Sequence, residues 1–461
     1  MADTEDRAEE RDEDAYGPAE GTVAAVLEAV SAGDAAALSR LLEPLHAADI
    51  ADILEQIGPS ERRALVGLWS GEIDGEILSE LEETVREEVI ESLPREVLAE
   101  AVRELDSDDV VDLLEDLDAP QQEIILDALE ADDRAAIEQS LTYPEYSAGR
   151  LMQRETVTAP EHWTVGETID FLRAEEWLPD QFYHVILVNP RHEPVGYVTL
   201  GKLLSSKRDV KLADITEDSF RTIRATDEES DVAYAFNQYH LISAPVVDEN
   251  NRLVGVITID DAMAVLDEEH EEDILRLAGV SDESSLADNS LVTARQRLPW
   301  LVVNLFTASL SAVVISQFED TIATLVVLAA LMPIVASTGG IAGTQSLAVA
   351  VRALATRSIT SSNARRVVFR EIGAGLLNGL GLALVLGLGG FLIFGDLMLG
   401  VVLGLAMIVN QLVAALGGVL VPLTLNRLGL DPALASGTFV TTLTDVMGFF
   451  AFLGFATLLL L

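Results

Sequence analysis

The residue with the most chemistry to offer sits where charge is least expected. Near the end of this chain, Thr441-Thr442-Leu443-Thr444-Asp445-Val446-Met447-Gly448 places a lone carboxylate inside a long apolar stretch. Charge at membrane depth is expensive unless it faces water, an ion or a partner. One or two carboxylates with hydroxyls, carbonyls and retained waters form the oxygen-rich set that a hard dication such as magnesium prefers. Asp445 is therefore the candidate ion ligand, with Thr441, Thr442 and Thr444 as outer oxygens. A second group lies upstream, where Pro333, Gly339, Gly340 and Gly343 are interspersed with Ser337, Thr338, Thr344, Gln345 and Ser346. Proline removes a helix hydrogen bond, and glycines let backbone carbonyls turn toward a cavity. This segment is read as a pore wall, with Gly339 and Gly340 as contacts, against the alternative of close helix packing. The alternative is the better account of Gly375-x-x-x-Gly379 and Gly400-x-x-x-Gly404. A third group is Asp267-Glu268-Glu269-His270-Glu271-Glu272-Asp273. Glu269, Glu272 and Asp273 share a helix face, where like charges repel unless a cation sits among them. A solvated acidic helix is the plainer reading of that run.

Five apolar stretches must position the first two groups, at roughly 299–318, 322–351, 371–394, 397–425 and 433–461. A bilayer-spanning helix needs about 20 residues, and each stretch suffices. Asp445 then falls about 13 residues, or roughly 20 Å, into the last span, near the bilayer centre. Arg295 and Arg297 precede the first stretch; Arg352, Arg357, Arg365, Arg366 and Arg370 fill the second-to-third connection; Arg427 follows the fourth. The other connections carry Glu319, Asp320 and Asp396 without lysine or arginine. Positive residues collect in cytoplasmic loops, which predicts a cytoplasmic N-terminus and a C-terminus outside. Residues 1–20 are acidic and do not read as a secretory signal.

Residues 1–290 hold 71 Asp and Glu against 21 Lys and Arg, so the net charge of −48 belongs to the region before the membrane. Lysine occurs only at 202, 207 and 211. Such a surface suits a halophilic cytoplasm in which salt screens repulsion, and it excludes nucleic acid as a partner. It also weakens any acidic run as evidence for metal binding. Cysteine is absent, which removes disulfides and thiolate metal sites. The six histidines fall in no metal or triad spacing, and no phosphate-binding Gly-x-x-x-x-Gly-Lys loop occurs; the chain is not expected to be an enzyme.

By pattern, residues 1–20 form an acidic disordered tail and 21–142 an all-α repeat domain. In the latter, Asp49-Ile50-Ala51-Asp52-Ile53-Leu54-Glu55-Gln56-Ile57 is echoed by Asp109-Val110-Val111-Asp112-Leu113-Leu114-Glu115-Asp116-Leu117. Short helices that cannot bury a face alone stack on their neighbours. Two α+β halves follow, 143–206 and 207–268. Each holds an apolar hairpin: 184–188 with 195–199, and 244–248 with 254–258. A connecting helix at 269–296 leads to the polytopic membrane domain, 297–461.

The two halves resemble a tandem pair of CBS domains, modules that often bind adenine nucleotides. The family's Thr-x-x-Asp ribose pattern falls on Thr258 and Asp261, whereas the first half ends Thr199-Leu200-Gly201-Lys202 without the aspartate. The resemblance thus implies at best one site for ATP or another adenine nucleotide; a dimerisation scaffold is the alternative. The whole order of domains resembles the MgtE-type magnesium channel and transporter family, from about residue 22 to 461. Local matches are Asp431-Pro432-Ala433-Leu434-Ala435-Ser436-Gly437 with Thr442-Leu443-Thr444-Asp445-Val446, Gly339-Gly340-x-x-Gly343-x-Gln345, and Arg352-Ala353-Leu354-Ala355-Thr356-Arg357. The resemblance implies a homodimer in the cell membrane with one pore, Asp445 from each chain on the partly hydrated magnesium ion, and the second and fifth spans lining the path. It also implies closure by cytosolic magnesium bound between the CBS domains and the connecting helix. The regulatory carboxylates it maps are Asp261, Glu269, Glu272 and Asp273, with Glu228 in place of an aspartate. Departures are Ile341, where the family has asparagine, and Ser230, His240 and Ala264, where it has carboxylates. Weaker closure by magnesium is expected from these losses. Two other classes stay open: a membrane-anchored ion or nucleotide sensor without transport, and a gradient-coupled divalent cation exporter.

Overall fold

The computed structural model describes residues 17–18, 21–115, 117, 119–175, 177–179, 181–217, 220–281, 290–360, 362–435 and 437–461. Apart from residues 17 and 18, the acidic tail expected at 1–20 lies outside the described residues. The chain divides into two compact units, Met1–Asp267 and Glu268–Leu461.

The described residues of the first unit open with ten short α-helices: α1 (Thr22–Ala32), α2 (Ala35–Leu42), α3 (Ala47–Gln56), α4 (Pro59–Trp69), α5 (Gly75–Ser79), α6 (Glu83–Ser92), α7 (Arg95–Glu104), α8 (Ser107–Glu115), α9 (Ala119–Leu126) and α10 (Ala131–Ser140). The echo in the sequence is an echo in packing. Helix α3 buries Ile50, Ala51, Ile53 and Leu54, and α8 buries Val110, Val111, Leu113 and Leu114 at the matching positions. The carbonyls that close the two segments are also held alike. Arg62 donates from Nε to Leu54 O at 2.9 Å and from Nη2 to Ile57 O at 3.1 Å. Sixty residues on, Gln122 Nε2 donates to Leu114 O and Leu117 O at 2.8 and 3.0 Å. The arginines add an outward link: Arg62 pairs with Glu88, and Arg86, which binds Leu81 O, pairs with Asp112 at 2.7 Å. A buried guanidinium is tolerated because its donors meet carbonyls and a carboxylate.

After the short helix α11 (Ala148–Leu151) come two equivalent halves. The first contains β1 (Thr158–Pro160), α12 (Val165–Ala174), β2 (His184–Val188), β3 (Pro194–Thr199) and α13 (Leu200–Ser205). The second contains β4 (Ile223–Arg224), α14 (Glu229–Tyr239), β5 (Ser243–Val247), β6 (Leu253–Thr258) and α15 (Ile259–Ala278), which runs past the unit boundary. Each sheet has three strands, a short parallel strand beside an antiparallel hairpin, in the orders β1-β2-β3 and β4-β5-β6. Registers such as Ile186↔Tyr197 and Pro245↔Val256 fix which faces are buried. The hairpins were legible; β1 and β4, of three and two residues, were too short to read. The halves are joined by a hydrogen bond between His184 and Ser243, which start β2 and β5, and by Leu253 N donating to His192 O at 2.9 Å.

Among the described residues the second unit contains five helices long and apolar enough to cross a membrane: α16 (Ser290–Ser316), α18 (Val327–Ala355), α19 (Ala364–Phe394), α20 (Leu397–Arg427) and α21 (Gly437–Leu460), with a short α17 (Glu319–Thr324) after the first. The expected spans are all present with shifted ends. The last helix starts at Gly437, four residues later than expected, because Pro432–Ala435 form a 3-10 turn in which Asp431 Oδ1 accepts from Ala433 N at 2.7 Å. Asp445 is accordingly about 12 Å along its helix and about 5 Å short of the midpoint. Helix α20 is the middle of the bundle: 56% of its most apolar window is buried, against 11% for α16 and α19 and 39% for α18 and α21.

Candidate functional site

Small residues decide how closely α18, α20 and α21 approach. A Cβ on Gly339 would overlap the Asn410 amide, and one on Gly448 would lie 3.0 Å from it. Asn410 of α20 is thus clasped between α18 and α21, fully buried, with Nδ2 donating to Val335 O at 2.7 Å. Gln411 follows suit, Nε2 to Thr338 O at 3.3 Å. Farther along, a Cβ on Gly343 would meet Val440 at 2.6 Å, and one on Gly340 would meet Thr441 at 3.3 Å. These contacts correct the expectation of irregular backbone around Gly339–Gly343. Helix α18 runs unbroken through Pro333 and the glycines, which serve close packing, and the carbonyls of Val335 and Thr338 receive amides from α20.

Asp445 is half-buried on α21 and takes part in no hydrogen bond or ion pair among the described residues. One turn back, Thr441 Oγ1 donates to Gly437 O at 2.7 Å and Thr442 Oγ1 to Thr438 O at 2.7 Å, so each hydroxyl keeps lone pairs able to accept. Thr444 points the other way: it is fully buried, donates to Thr441 O at 2.8 Å and packs near Gly343. Of the five expected pore contacts, Thr441 and Gly340 lie in the same α18–α21 contact beside Asp445. Gly339 and Thr444 are instead consumed by helix packing.

The connecting carboxylates meet a residue that sequence reasoning had not assigned. In the second unit, Arg276 binds Asp431 at 2.7 Å and Glu272 at 2.8 Å. Burial, then Glu272, Asp273 and Asp431, hold Glu269 above the usual carboxylate range. Burial and Asp431 do the same for Asp273. Arg276 therefore supplies local counter-charge to a group that remains proton-hungry. Leu277 packs against Leu347, Val351, Ala433 and Val440, so the end of α15 sits at the entrance of α18 and α21.

Within the first unit Asp261 caps the turn after β6. Thr258 Oγ1 donates to Asp261 Oδ2 at 2.6 Å and Thr258 N at 3.3 Å. Burial raises Asp261 to about 6, aided by Asp260 and Asp106. Facing it on α8, Asp109 is pushed up to about 7 by burial and by Asp261, and Asp108 is raised by the same causes. Carboxylates that raise one another in this way repel when ionised, a repulsion that a dication would relieve. Among the described residues no three His, Cys, Asp or Glu side chains converge closely enough to be a ready-made metal cage. Glu228 stands apart as the N-cap of α14, its backbone bridging Ser147.

Comparison with known proteins gives this arrangement its family. The sequence profile described as a divalent cation transporter, MgtE, matches residues 332–455, that of the MgtE intracellular N domain matches 45–146, and CBS domains match 148–209 and 212–268. The magnesium transporter MgtE of Thermus thermophilus is 34% identical over 440 residues, 94% of this chain and 97% of that protein. Its counterpart in Enterococcus faecalis is 34% identical over 71% of this chain and 72% of its own length. A crystal structure of the cytosolic domain of the Mg2+ channel MgtE in complex with ATP aligns at 30% identity, with a TM-score of 0.49, over 53% of this chain and 99% of that one. The chain belongs to the MgtE family of magnesium transporters, multi-pass membrane proteins with an intracellular N domain and a CBS pair.

Proposed function

We propose that the protein conducts magnesium across the cell membrane through a path lined by α18 and α21, as a homodimer in which each protomer contributes one Asp445. The observation that carries this reading is the half-buried Asp445 carboxylate, without a polar partner among the described residues, one turn from the Thr441 and Thr442 hydroxyls. A magnesium ion holds its waters tightly, so a single carboxylate per protomer acts as a weak, charge-selective station that retains hydration and lets the ion leave. The half-covered faces of α18 and α21 support a second copy there. The positive residues flanking the spans support a cytoplasmic N-terminus and an external C-terminus.

Cytosolic magnesium closes the path by occupying two carboxylate groups, Asp108–Asp109–Asp261 in the first unit and Glu269–Glu272–Asp273–Asp431 in the second. Ion binding relieves repulsion in each, and Leu277 then holds the entrance of α18 and α21. The CBS pair binds an adenine nucleotide, with Thr258 and Asp261 at the ribose.

Magnesium uptake into liposomes containing the purified protein tests the path. Flux down the gradient that disappears in Asp445→Ala supports it. Flux that requires a sodium or proton gradient makes the protein a coupled carrier. No flux at any internal magnesium level leaves a sensor and overturns the proposal.

A further inference from the structure

In a region where acids outnumber bases by more than three to one, carboxylates are the commonest partners on offer to an arginine. A cleft of about 960 Å³ in the first unit nonetheless gathers three arginines that make no ion pair among the described residues. It opens between the turn of the first hairpin, residues 189–193, and that of the second, residues 248–252, and it is closed behind by Gln139 and Arg154. The two turns are built alike. Asn189 Oδ1 accepts from Arg191 N and Glu193 N at 2.9 and 3.0 Å, and Asp248 Oδ1 accepts from Asn250 N and Arg252 N at 2.8 Å each. The fourth residue of each, His192 and Asn251, is left-handed with φ 63° and 59°. The Leu253–His192 hydrogen bond ties the turns together and brings Arg191 and Arg252 to one opening.

Arg154 is the fixed member. Its backbone N–H donates to Ser107 Oγ at 2.7 Å, and its guanidinium is half-buried, held only by neutral groups: Gln139 Oε1 and Ser140 Oγ, each at 3.3 Å. Among the described residues Arg154, Arg191 and Arg252 form no ion pair. The two lining acids are occupied in part by their own turns, Asp248 as above and Glu193 Oε2 by Asn189 Nδ2 at 2.6 Å. A half-buried guanidinium with neutral partners keeps N–H donors and a charge that are stabilised by an incoming anion.

We propose that this cleft is an anion site that takes a small phosphorylated ligand, its phosphate oxygens held by Arg154, Arg191 and Arg252. Planar guanidinium forks match phosphate oxygens in pairs, and the volume is that of a small-molecule site. Thr258 and Asp261 are not among the lining residues, and Asp261 faces other carboxylates that repel phosphate. The site is therefore additional to the nucleotide reading and independent of it. Because Arg154 is anchored on Ser107 of α8 and on Gln139 and Ser140 of α10, an anion bound there would also clamp the helical array to the hairpins.

Pyrophosphate, which lacks base and ribose, is the discriminating probe. Equilibrium binding to the full-length protein in detergent, free of divalent cations and at moderate salt, should be saturable with one ligand per chain. Arg191→Gln with Arg252→Gln, two exposed turn positions that leave the fold intact, should weaken it roughly tenfold or more, as should Arg154→Gln. Thr258→Val should leave it unchanged, and binding should weaken with added salt. Absence of saturable binding, or affinity unaltered in the double turn variant, overturns the proposal. So does binding of ATP alone that Thr258→Val abolishes, since the anion would then belong to the nucleotide site.

Discussion

Two sets of carboxylates in this chain live in opposite surroundings. In the first unit Asp108 is buried, Asp109 and Asp261 are partly buried, and the three crowd and repel one another. In the second, Asp445 is solitary, half-covered, and free of any polar partner among the described residues. Crowding makes energy depend steeply on whether a cation is present, which is what a detector needs. Solitude keeps the affinity low and the ion's water in place, which is what passage needs.

The largest expected effect breaks the solitary side. Asp445→Ala removes the carboxylate proposed to meet the ion, so magnesium uptake into liposomes should fall roughly a hundredfold or more, the rate equivalent of about 2.7 kcal/mol. Asp445→Asn should fall nearly as far, because charge rather than shape is lost. Uptake that survives in Asp445→Asn would mean the oxygen alone suffices. Next is the frame that presents Asp445. Gly339→Val drives two methyls into Asn410 and should cost about 1–3 kcal/mol by overpacking, lowering the melting temperature in detergent. Asn410→Ala in the same chain should recover part of the loss, and an unchanged melting temperature would remove Asn410 from the clasp.

The crowded side is tested by pH. Aspartates in the unfolded chain lose their protons near pH 4, whereas Asp261 and Asp109 in the fold hold theirs to about 6 and about 7. The folded protein binds more protons across that window, so these groups' contribution to stability falls as pH rises from about 4 to about 7 and levels off above it. Magnesium should restore protection of residues 107–115 from hydrogen exchange at neutral pH and do little at pH 5. Asp109→Asn should flatten both dependences; equal protection by magnesium at both pH values would end the detector reading. The smallest effect is expected from Arg276→Gln. Losing the counter-charge between Glu272 and Asp431 should lower the magnesium concentration that closes the path by a fewfold, as read in the same flux assay.

Much of this is legible in the sequence. Five spans, two hairpins and the helical echo each rest on periodicities that packing obeys, and Asp445 announces itself as a charge in apolar surroundings. What escaped has a physical reason. Asp108 and Asp109 look like any other acid in so acidic a stretch until the fold buries them against Asp261. Asp431 read as part of a motif, and only the turn of Pro432–Ala435 brings it to Arg276. Asn410 and Gln411 could have been found, since a polar pair inside an apolar span of thirty-one residues is the same signal that singled out Asp445. The glycines of α18 were read for freedom of backbone when their use is closeness of approach.

The repeated arginine grip in the helical array has one more consequence. Arg62 reaches forward to Glu88 and Arg86 to Asp112, but the third grip is made by Gln122, whose amide has no charge to extend. The series of locks therefore stops at Asp112, and Asp112 is one of the charges that Asp109 feels. A change of ion at Asp109 would thus alter the tension on the last lock while the earlier ones stay shut. Stretched from its ends, such an array should yield first at the Asp112 step, and the load it bears there would report the magnesium concentration of the cell.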